Sequence, residues 1–334
     1  MTMIGIGDLA QSFVLRRANV EAKSEAQRLG QELSTGVTSD PGTHLRGDYR
    51  LFAALERQLG LVEAQAASAG AAAGFATVQQ TALGRVSDQL DAMVAGRGAL
   101  PLSPDPGQVA LASRDSASRF AAMADALGTT FADRSVFAGD TPDTPALASA
   151  ADMMTALRGA VAGLTDPAAI ASAVTQWFTA PAGGFETLGY LGSDNPRSPV
   201  PLGDERIGLD LRADDPALRM AMASAALGAL ASDPALGLSP DTAHALVRRA
   251  GEDALAAQGE VTQLRANLGV VEARLEDATA RLASERSASE LARQQLLEAD
   301  PFETAVQLEA TRTRLESLYA VTARLSRLSL AERL

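Results

Sequence analysis

The sequence predicts a mainly α-helical protein: an antiparallel coiled-coil helical bundle formed by both chain ends, with a small central α+β insertion. Three observations carry this prediction. Apolar residues recur at steps of three and four near both ends, which places their side chains on one stripe of a helix. Alanine is abundant and aromatic residues make up only 4% of the chain, which favours closely packed helices over one thick core. The middle of the chain lacks the periodicity and is interrupted by Pro and Gly.

The stripes on the two terminal helices form the predicted self-assembly interface. The first helix is expected over about residues 9–33, and the last is expected to begin at Asp300-Pro301, with Asp as the cap and Glu303 three residues on. With Asn19 counted in the spacing, the two stripes comprise Leu15, Ala22, Ala26, Leu29 and Leu33 at one end and Leu308, Leu315, Leu318, Leu325 and Leu328 at the other. Neither helix can bury its own stripe, so each needs a partner, either the far end of the chain or a neighbouring molecule.

Two longer helices follow the same spacing and form the predicted core of the bundle. The first runs from Phe52 to Val94 in unbroken steps of three and four, with only Gln80 and Ser87 polar on its stripe. The second runs from Val261 to Leu282. The predicted core residues are Leu59, Val62, Leu83, Leu90, Leu264, Leu268, Val271 and Leu275. These two helices are expected to pack on each other.

A third helix and a turn connect the first half of the bundle to the insertion. Pro101, Pro104 and Pro106 end the long helix, and the next helix carries Val109, Phe120, Met123 and Leu127 on one face. Residues 131–147 then predict a hairpin or turn.

The insertion combines short helices with strand-like runs. Helices are predicted over about 145–164 and 167–178, and alternation of apolar and polar residues predicts strands at 185–191 and 206–212. Asp215-Pro216 predicts another helix, with Asp as the N-cap. The predicted domain organisation therefore has five parts. They are an N-terminal assembly helix and loop (1–47), the first half of the bundle (48–139), an exposed insertion (140–237), the second half of the bundle (238–299) and a C-terminal assembly helix (300–334).

Composition and charge argue against several classes of function. The formal charge of −12 lies almost entirely in residues 61–260, and this acidic excess argues against binding to nucleic acid, which needs clustered Lys and Arg for phosphate contacts. The chain has no cysteine, which removes disulfides and thiolate metal sites. The longest apolar run is well short of the roughly 20 residues that a spanning helix needs. We expect export without a cleaved signal peptide, because Arg16 and Arg17 follow the apolar start rather than precede it.

No catalytic, cofactor-binding or metal-binding residue is predicted. His44 and His244 lack neighbouring ligands at metal spacing and are interpreted as surface or loop residues. Gly183-Gly184 is too short to bind a phosphate, and Asp214-Asp215 is interpreted as a helix cap rather than a catalytic pair. The three aromatic residues Trp177, Phe178 and Phe185 are interpreted as core.

Motifs at both ends of the chain resemble those of the bacterial flagellin superfamily. The C-terminal run LYAVTARLSRLSL at 318–330 resembles the end of that family, and QELSTG at 31–36 is similar to the segment that closes its first helix. The run NLGVVE at 267–272 resembles its second conserved C-terminal region. The run DRSVFAGDTPDTP at 133–145 resembles an element of the branch that joins the flagellar hook to the filament. The likeness covers roughly 1–140 and 240–334 and leaves the insertion unmatched.

Two departures leave the choice between junction protein and filament flagellin open. The usual serine-aspartate-aspartate-proline loop is present only as Ser39-Asp40-Pro41, and the usual phenylalanine-containing N-terminal signature is loose. Two other classes also stay open: a cytoplasmic coiled-coil adaptor, which would have the stripes without the paired terminal motifs, and a hydrolase built into residues 140–237.

The resemblance implies a structural role outside the cell. Such subunits are exported unfolded by the flagellar type III apparatus, and their ends order into coiled coils on assembly. The implied partners are hook-associated protein 1, flagellin, further copies of the chain in a ring and an export chaperone, with no nucleic acid, membrane insertion or cofactor.

Overall fold

The computed structural model describes residues 6–99, 103, 105–203 and 205–331. Its helices are α1 Ile6–Thr35, α2 Pro41–His44, α3 Arg50–Ala99, α4 Pro106–Leu127, α5 Ala150–Val161, α6 Pro167–Thr179, α7 Pro216–Leu230, α8 Pro240–Leu296 and α9 Pro301–Ala331. Two short antiparallel hairpins join β1 Thr130–Phe131 to β2 Arg134–Ser135 and β3 Val200–Leu202 to β4 Glu205–Ile207. The prediction of a mainly α-helical bundle is confirmed.

The chain divides into two compact units. The terminal unit contains the described residues 6–63 and 284–331, and the central unit contains the described residues of 64–283. The five-part division drawn from the sequence stays a prediction.

In the terminal unit, α1 packs against α9. A short antiparallel bridge joins the end of α1 to the start of α9: the Thr38 amide donates to the Leu297 carbonyl at 2.8 Å, and the Ala299 amide donates to the Gly36 carbonyl at 3.0 Å. Because α1 ends at this bridge and α9 begins there, the two helices run antiparallel. The two ends of the chain therefore pair with each other.

The first turns of α3 and the last turns of α8 also lie side by side in the terminal unit. Glu56 pairs with Arg293 at 3.2 Å and Glu63 pairs with Arg286 at 3.5 Å. An advance of seven residues along α3 is thus matched by a retreat of seven residues along α8, which is the register of an antiparallel coiled coil.

In the central unit, the rest of α3 and α8 pair in the same antiparallel sense. The Gln80 amide donates to the Arg265 carbonyl at 3.5 Å, and farther along α3 Arg97 lies 3.9 Å from Glu252, which is nearer the start of α8. Thus later residues of α3 pair with earlier residues of α8.

The core of the central unit surrounds α7. This helix packs against α4 and α6, and all but a few of its residues are buried. Its sequence is almost entirely Ala, Leu and Met, and a helix that is apolar on every side is stable only when enclosed. Asp215 caps it by accepting a hydrogen bond from the Ala217 amide at 2.9 Å, as predicted.

Four aromatic rings complete this core. Phe120, Trp177, Phe178 and Phe185 pack with centroid separations of 4.8–6.4 Å, three of the four contacts being edge-on. A Cβ atom at Gly184 would lie 1.8 Å from the Trp177 Nε1 atom, so glycine is required there for the indole to approach. The core interpretation of the three predicted aromatic residues is confirmed.

Three local predictions within the insertion are wrong. Residues 185–189 form a π-helical turn rather than a strand, closed by the Tyr190 amide donating to the Phe185 carbonyl at 2.6 Å. The turn persists because Phe185 is held in the aromatic cluster, which overrides the seven-residue alternation at 185–191. Of the strand predicted at 206–212, only the first residues pair, within β4. The helix predicted from about 145 begins at Ala150, because 146–148 are extended and pair with 189–191.

The prediction for one of the two histidines is also wrong. His44 is exposed at the end of α2, but His244 is buried in the first turns of α8. Thr242, Ala243, Leu246 and Val247 are buried beside it in sequence, so this part of α8 is enclosed on most sides. The 3.6-residue period cannot reveal such enclosure when the neighbours come from other helices.

Candidate assembly surface on the terminal helices

The structure places the predicted self-assembly residues at very different depths. Ala22, Leu29 and Leu308 are buried within the terminal unit, and Leu33 is 41% exposed. The half-buried members are Leu15, Ala26, Leu315, Leu318 and Leu325. The side chain of Leu328 lies outside the described residues. Part of each stripe is thus occupied by the contact between α1 and α9, and the role of these residues in assembly stays a prediction.

A second set of apolar residues on the same helices faces outward. Phe302 is 80% exposed in the first turn of α9. The other exposed large apolar residues of the two helices are Phe13, Val14, Val20, Val306, Tyr319 and Val321. Sequence reasoning missed these residues because it followed only the seam spacing and left apolar residues beside it unassigned. Exposed apolar residues mark a binding surface where they form a contiguous patch, so these residues are candidate contacts for a neighbouring protein.

A buried carboxylate fixes the end of α1. Glu32 is buried and accepts hydrogen bonds from the Arg28 guanidinium at 2.8 Å, the Ser39 amide at 2.7 Å and the Thr38 hydroxyl at 3.4 Å. The Arg28 guanidinium also donates a hydrogen bond to the Glu25 carboxylate. The pKa of Arg28 is raised, mainly by Glu25 and to a smaller extent by Glu32. This network holds the chain where it leaves α1 for the bridge. The sequence signal was the QELSTG run, but the buried role of its glutamate was not predicted.

The start of α9 is fixed by its N-cap, as predicted. The Asp300 carboxylate accepts hydrogen bonds from the Phe302 amide at 2.8 Å and the Glu303 amide at 3.2 Å. These are two of the donors that every helix N-terminus leaves unpaired. The Glu303 carboxylate accepts from the Gln307 amide at 3.1 Å. The cap sets the direction in which the first turn presents Phe302.

The predicted bundle-core residues all lie away from solvent. Leu264 and Val271 are half-buried, and the buried members are Leu59, Val62, Leu83, Leu90, Leu268 and Leu275. None of the residues on the predicted stripes of α3 and α8 is exposed. Their assignment as a bundle core stays a prediction that this placement favours.

Acidic side chains of the described residues form caps and ion pairs, and they form no metal-binding cluster. Within them, no group of three or more His, Cys, Asp or Glu side chains could hold a metal ion. No helix in the same part of the chain is long and apolar enough to cross a membrane. The Asp214-Asp215 pair is structural: Asp215 caps α7, and Asp214 forms an ion pair with Arg212 at 2.6 Å.

The fold is a helical bundle whose first and last helices, α1 and α9, pack together and carry outward-facing apolar side chains. Residues 253–332, which cover most of α8 and all of α9, match the family model of the bacterial flagellin C-terminal helical region. No curated protein matches the chain. The family match supports the resemblance to the flagellin superfamily, and with it a structural subunit of the extracellular flagellum that assembles with other axial proteins.

Proposed function

We propose that the chain is the flagellar subunit that joins the hook to the filament, of the kind represented by hook-associated protein 3. The observation that carries the flagellar assignment is the antiparallel pair of α1 and α9, whose C-terminal member lies in the segment that matches the flagellin model. The junction assignment rests on the resemblance of residues 133–145 to an element of hook-associated protein 3.

The middle of this element, residues 135–139, lies in the interior, whereas most of its flanking residues are exposed. Val136, Phe137 and Ala138 are buried in the central unit, and Gly139 has a positive φ of 67°. A Cβ atom at Gly139 would lie 2.5 Å from the Asn195 carbonyl oxygen, so only glycine fits. The buried part of the element therefore stabilises the central unit.

The proposed mechanism is mechanical. The terminal helices pack against those of neighbouring subunits and transmit torque from hook to filament. Ordering a helix costs conformational entropy, so their final packing is expected only where neighbours cover the outward-facing residues. The proposed partners are hook-associated protein 1 on one side, flagellin on the other, further copies of the chain in a ring and an export chaperone before assembly.

The second candidate is a flagellin that forms the filament itself. It is favoured by the family match, which describes flagellin. The two candidates predict the same terminal packing and differ in copy number.

The copy number in purified flagella distinguishes them. Flagella are sheared with their hooks attached, and the chain is quantified by mass spectrometry against the main filament subunit. About one ring of copies per flagellum supports the junction protein, and bulk abundance makes the chain a flagellin. Complete absence, with the protein in the cytosol, contradicts both and favours the adaptor.

Two variants test the role of the terminal helices. Removal of residues 318–334 is expected to leave a folded, soluble protein that does not enter flagella. Phe302→Ser is expected to reduce incorporation, because under the proposal neighbouring subunits cover this side chain. Since the side chain is exposed, it contributes little to the stability of the isolated chain. The control is Leu111→Ser, which changes an apolar residue that is 63% exposed on α4 of the central unit. Normal incorporation of the truncated chain contradicts the proposal.

A further inference from the structure

A cluster of arginines surrounds the loop between α2 and α3 in the terminal unit. Arg46, Arg50 and Arg57 line an open cavity together with Gly47, Asp48, Tyr49 and Ala53. We call this surface the basic loop. Asp48 neutralises only Arg50, to which it is paired at 2.8 Å. Arg46 and Arg57 are exposed, and neither has a carboxylate partner among the described residues. The basic loop therefore carries an uncompensated positive charge.

A groove of opposite charge lies between α3 and α8 in the central unit. We call it the acidic groove; it has a volume of about 520 Å³ and is lined by Ala73, Thr77, Glu272, Glu276, Thr279, Ala280 and Ala283. Its floor consists of small side chains, which let another chain approach the helix backbones closely. Its two charged residues are both carboxylates, and neither forms an ion pair in the part of the chain that the structure describes.

Another side of α3 in the central unit is already covered by the chain itself. The buried Gln79 amide donates to the Val136 carbonyl at 2.7 Å, and the Phe131 ring lies against Gly74. Most of the lining of the acidic groove, by contrast, is exposed. The groove is therefore a side of the coiled coil that is open to solvent in the central unit.

We propose that the acidic groove of one copy of this chain binds the basic loop of a second copy. The proposal rests on the proposed function and deepens it, because it assigns the contact through which copies adjoin. Arg46 and Arg57 are cations without a carboxylate partner among the described residues. Glu272 and Glu276 are carboxylates without a cationic partner in the same part of the chain, so the two pairs complement each other. Opposite potentials of this kind orient two proteins and fix their register.

The contact is of the head-to-tail kind. The two surfaces are different patches of the same chain, so each copy offers a free groove and a free loop after it has bound one neighbour. Such a heterologous contact generates a ring where the rotation closes and a helical array where it does not. Both arrangements are compatible with a tubular lattice.

The natural chain has no cysteine, which makes disulfide trapping selective. One variant carries Ala53→Cys in the basic loop, and a second, tagged for size, carries Thr77→Cys in the acidic groove. Each chain holds a single thiol, so every disulfide joins two chains. Mild oxidation of the mixture is expected to produce mainly the mixed dimer. The control replaces Thr77→Cys by Ser172→Cys, an exposed position on α6.

Charge exchange then tests the chemistry of the contact. Glu276→Arg in the groove variant, or Arg57→Glu in the loop variant, is expected to lower the yield of mixed dimer about tenfold, because like charges then face each other. The two reversals together restore the yield, which also shows that both variants fold. The matched control is Glu260→Arg, an exposed carboxylate of α8 outside the groove, which leaves the yield unchanged. Added salt lowers the yield of the unreversed pair.

Several results overturn the proposal. One is a mixed-dimer yield no higher than that of the Ser172→Cys control, and another is a yield insensitive to reversal of the charges. A third is disulfide trapping in isolated flagella that joins Thr77→Cys to a different axial protein. The outcome is separate from that of the proposed function. If the mixed dimer forms but the chain is absent from flagella, this contact is supported and the flagellar role is refuted. If the chain is present in flagella but no mixed dimer forms, only this contact is refuted.

Discussion

Leu29 and Leu33 provide a matched pair for measuring what holds the terminal helices together. Both are leucines on α1, one helical turn apart, but Leu29 is 2% exposed and Leu33 is 41% exposed. In α1 the same substitution, Leu→Ala, therefore removes a buried side chain at one position and a partly solvated one at the other. Helix propensity changes equally in both cases, so it cancels in the comparison.

The expected magnitudes follow from burial. Leu29→Ala loses the transfer free energy of the deleted carbons and leaves a cavity, which together cost about 3 kcal/mol. Leu33→Ala removes less buried surface and leaves no closed cavity, so its cost is about 1 kcal/mol or less.

Hydrogen exchange resolved by peptide is the appropriate assay, because it reports the opening of the terminal unit separately from that of the central unit. Leu29→Ala is expected to accelerate exchange of the α1 and α9 amides by about 100-fold, and Leu33→Ala by less than about fivefold. Equal effects of the two substitutions, or an unchanged rate in α9 for Leu29→Ala, would refute the reasoning that α1 and α9 stabilise each other through this side chain.

Two further predictions concern the central unit. A Cβ atom at Gly74 would lie 2.8 Å from the Phe131 ring, whereas a Cβ atom at Gly70 would have no neighbouring atom within 4 Å. Thermal denaturation should therefore show that Gly74→Ala is destabilised by about 1 kcal/mol and that Gly70→Ala is stabilised by about 0.5–1 kcal/mol. A stabilised Gly74→Ala would contradict the close approach of the ring. Burial, and secondarily the charge of Asp214, raises the pKa of Tyr190. The folded protein therefore keeps the phenol proton above pH about 10, where the unfolded chain releases it, and stability falls with rising pH by up to about 1.4 kcal/mol per pH unit. In urea titrations between pH 9 and 11, Tyr190→Phe should lose less stability than the natural chain, and parallel curves would contradict this.

The helices were predictable because their signals are local. The stripe on α3 runs over thirteen positions without a break, and a pattern of that length specifies a helix by itself. The caps at Asp215 and Asp300 were predictable for the same reason, since the capping residue and the amides it binds are adjacent in sequence.

The insertion was less predictable because its structure depends on contacts between distant residues. The extended segment 146–148 is held by 189–191, and the turn at Phe185 is held by the Trp177 and Phe178 rings of α6. A short window contains neither partner. The exposed residues of the candidate assembly surface were not predicted for a different reason. Phe302 and Val20 lie beside the seam, and their exposure depends on how the two helices pack, which sequence spacing does not reveal.

Burial along the terminal pair decreases with distance from the bridge between α1 and α9. Among the side chains that the structure describes, the buried residues of α1 lie between Ala22 and Glu32, and those of α9 are Thr304 and Leu308. Toward the other end of the pair, the described seam residues are only half-buried, from Leu15 on α1 to Leu325 on α9. A helix segment with few buried contacts opens at a lower free energy than one next to a fixed bridge. The distal part of the pair therefore gains the most burial from a neighbour's helices, so under the proposed function the bridge fixes the pair within each chain while its distal part is completed by assembly.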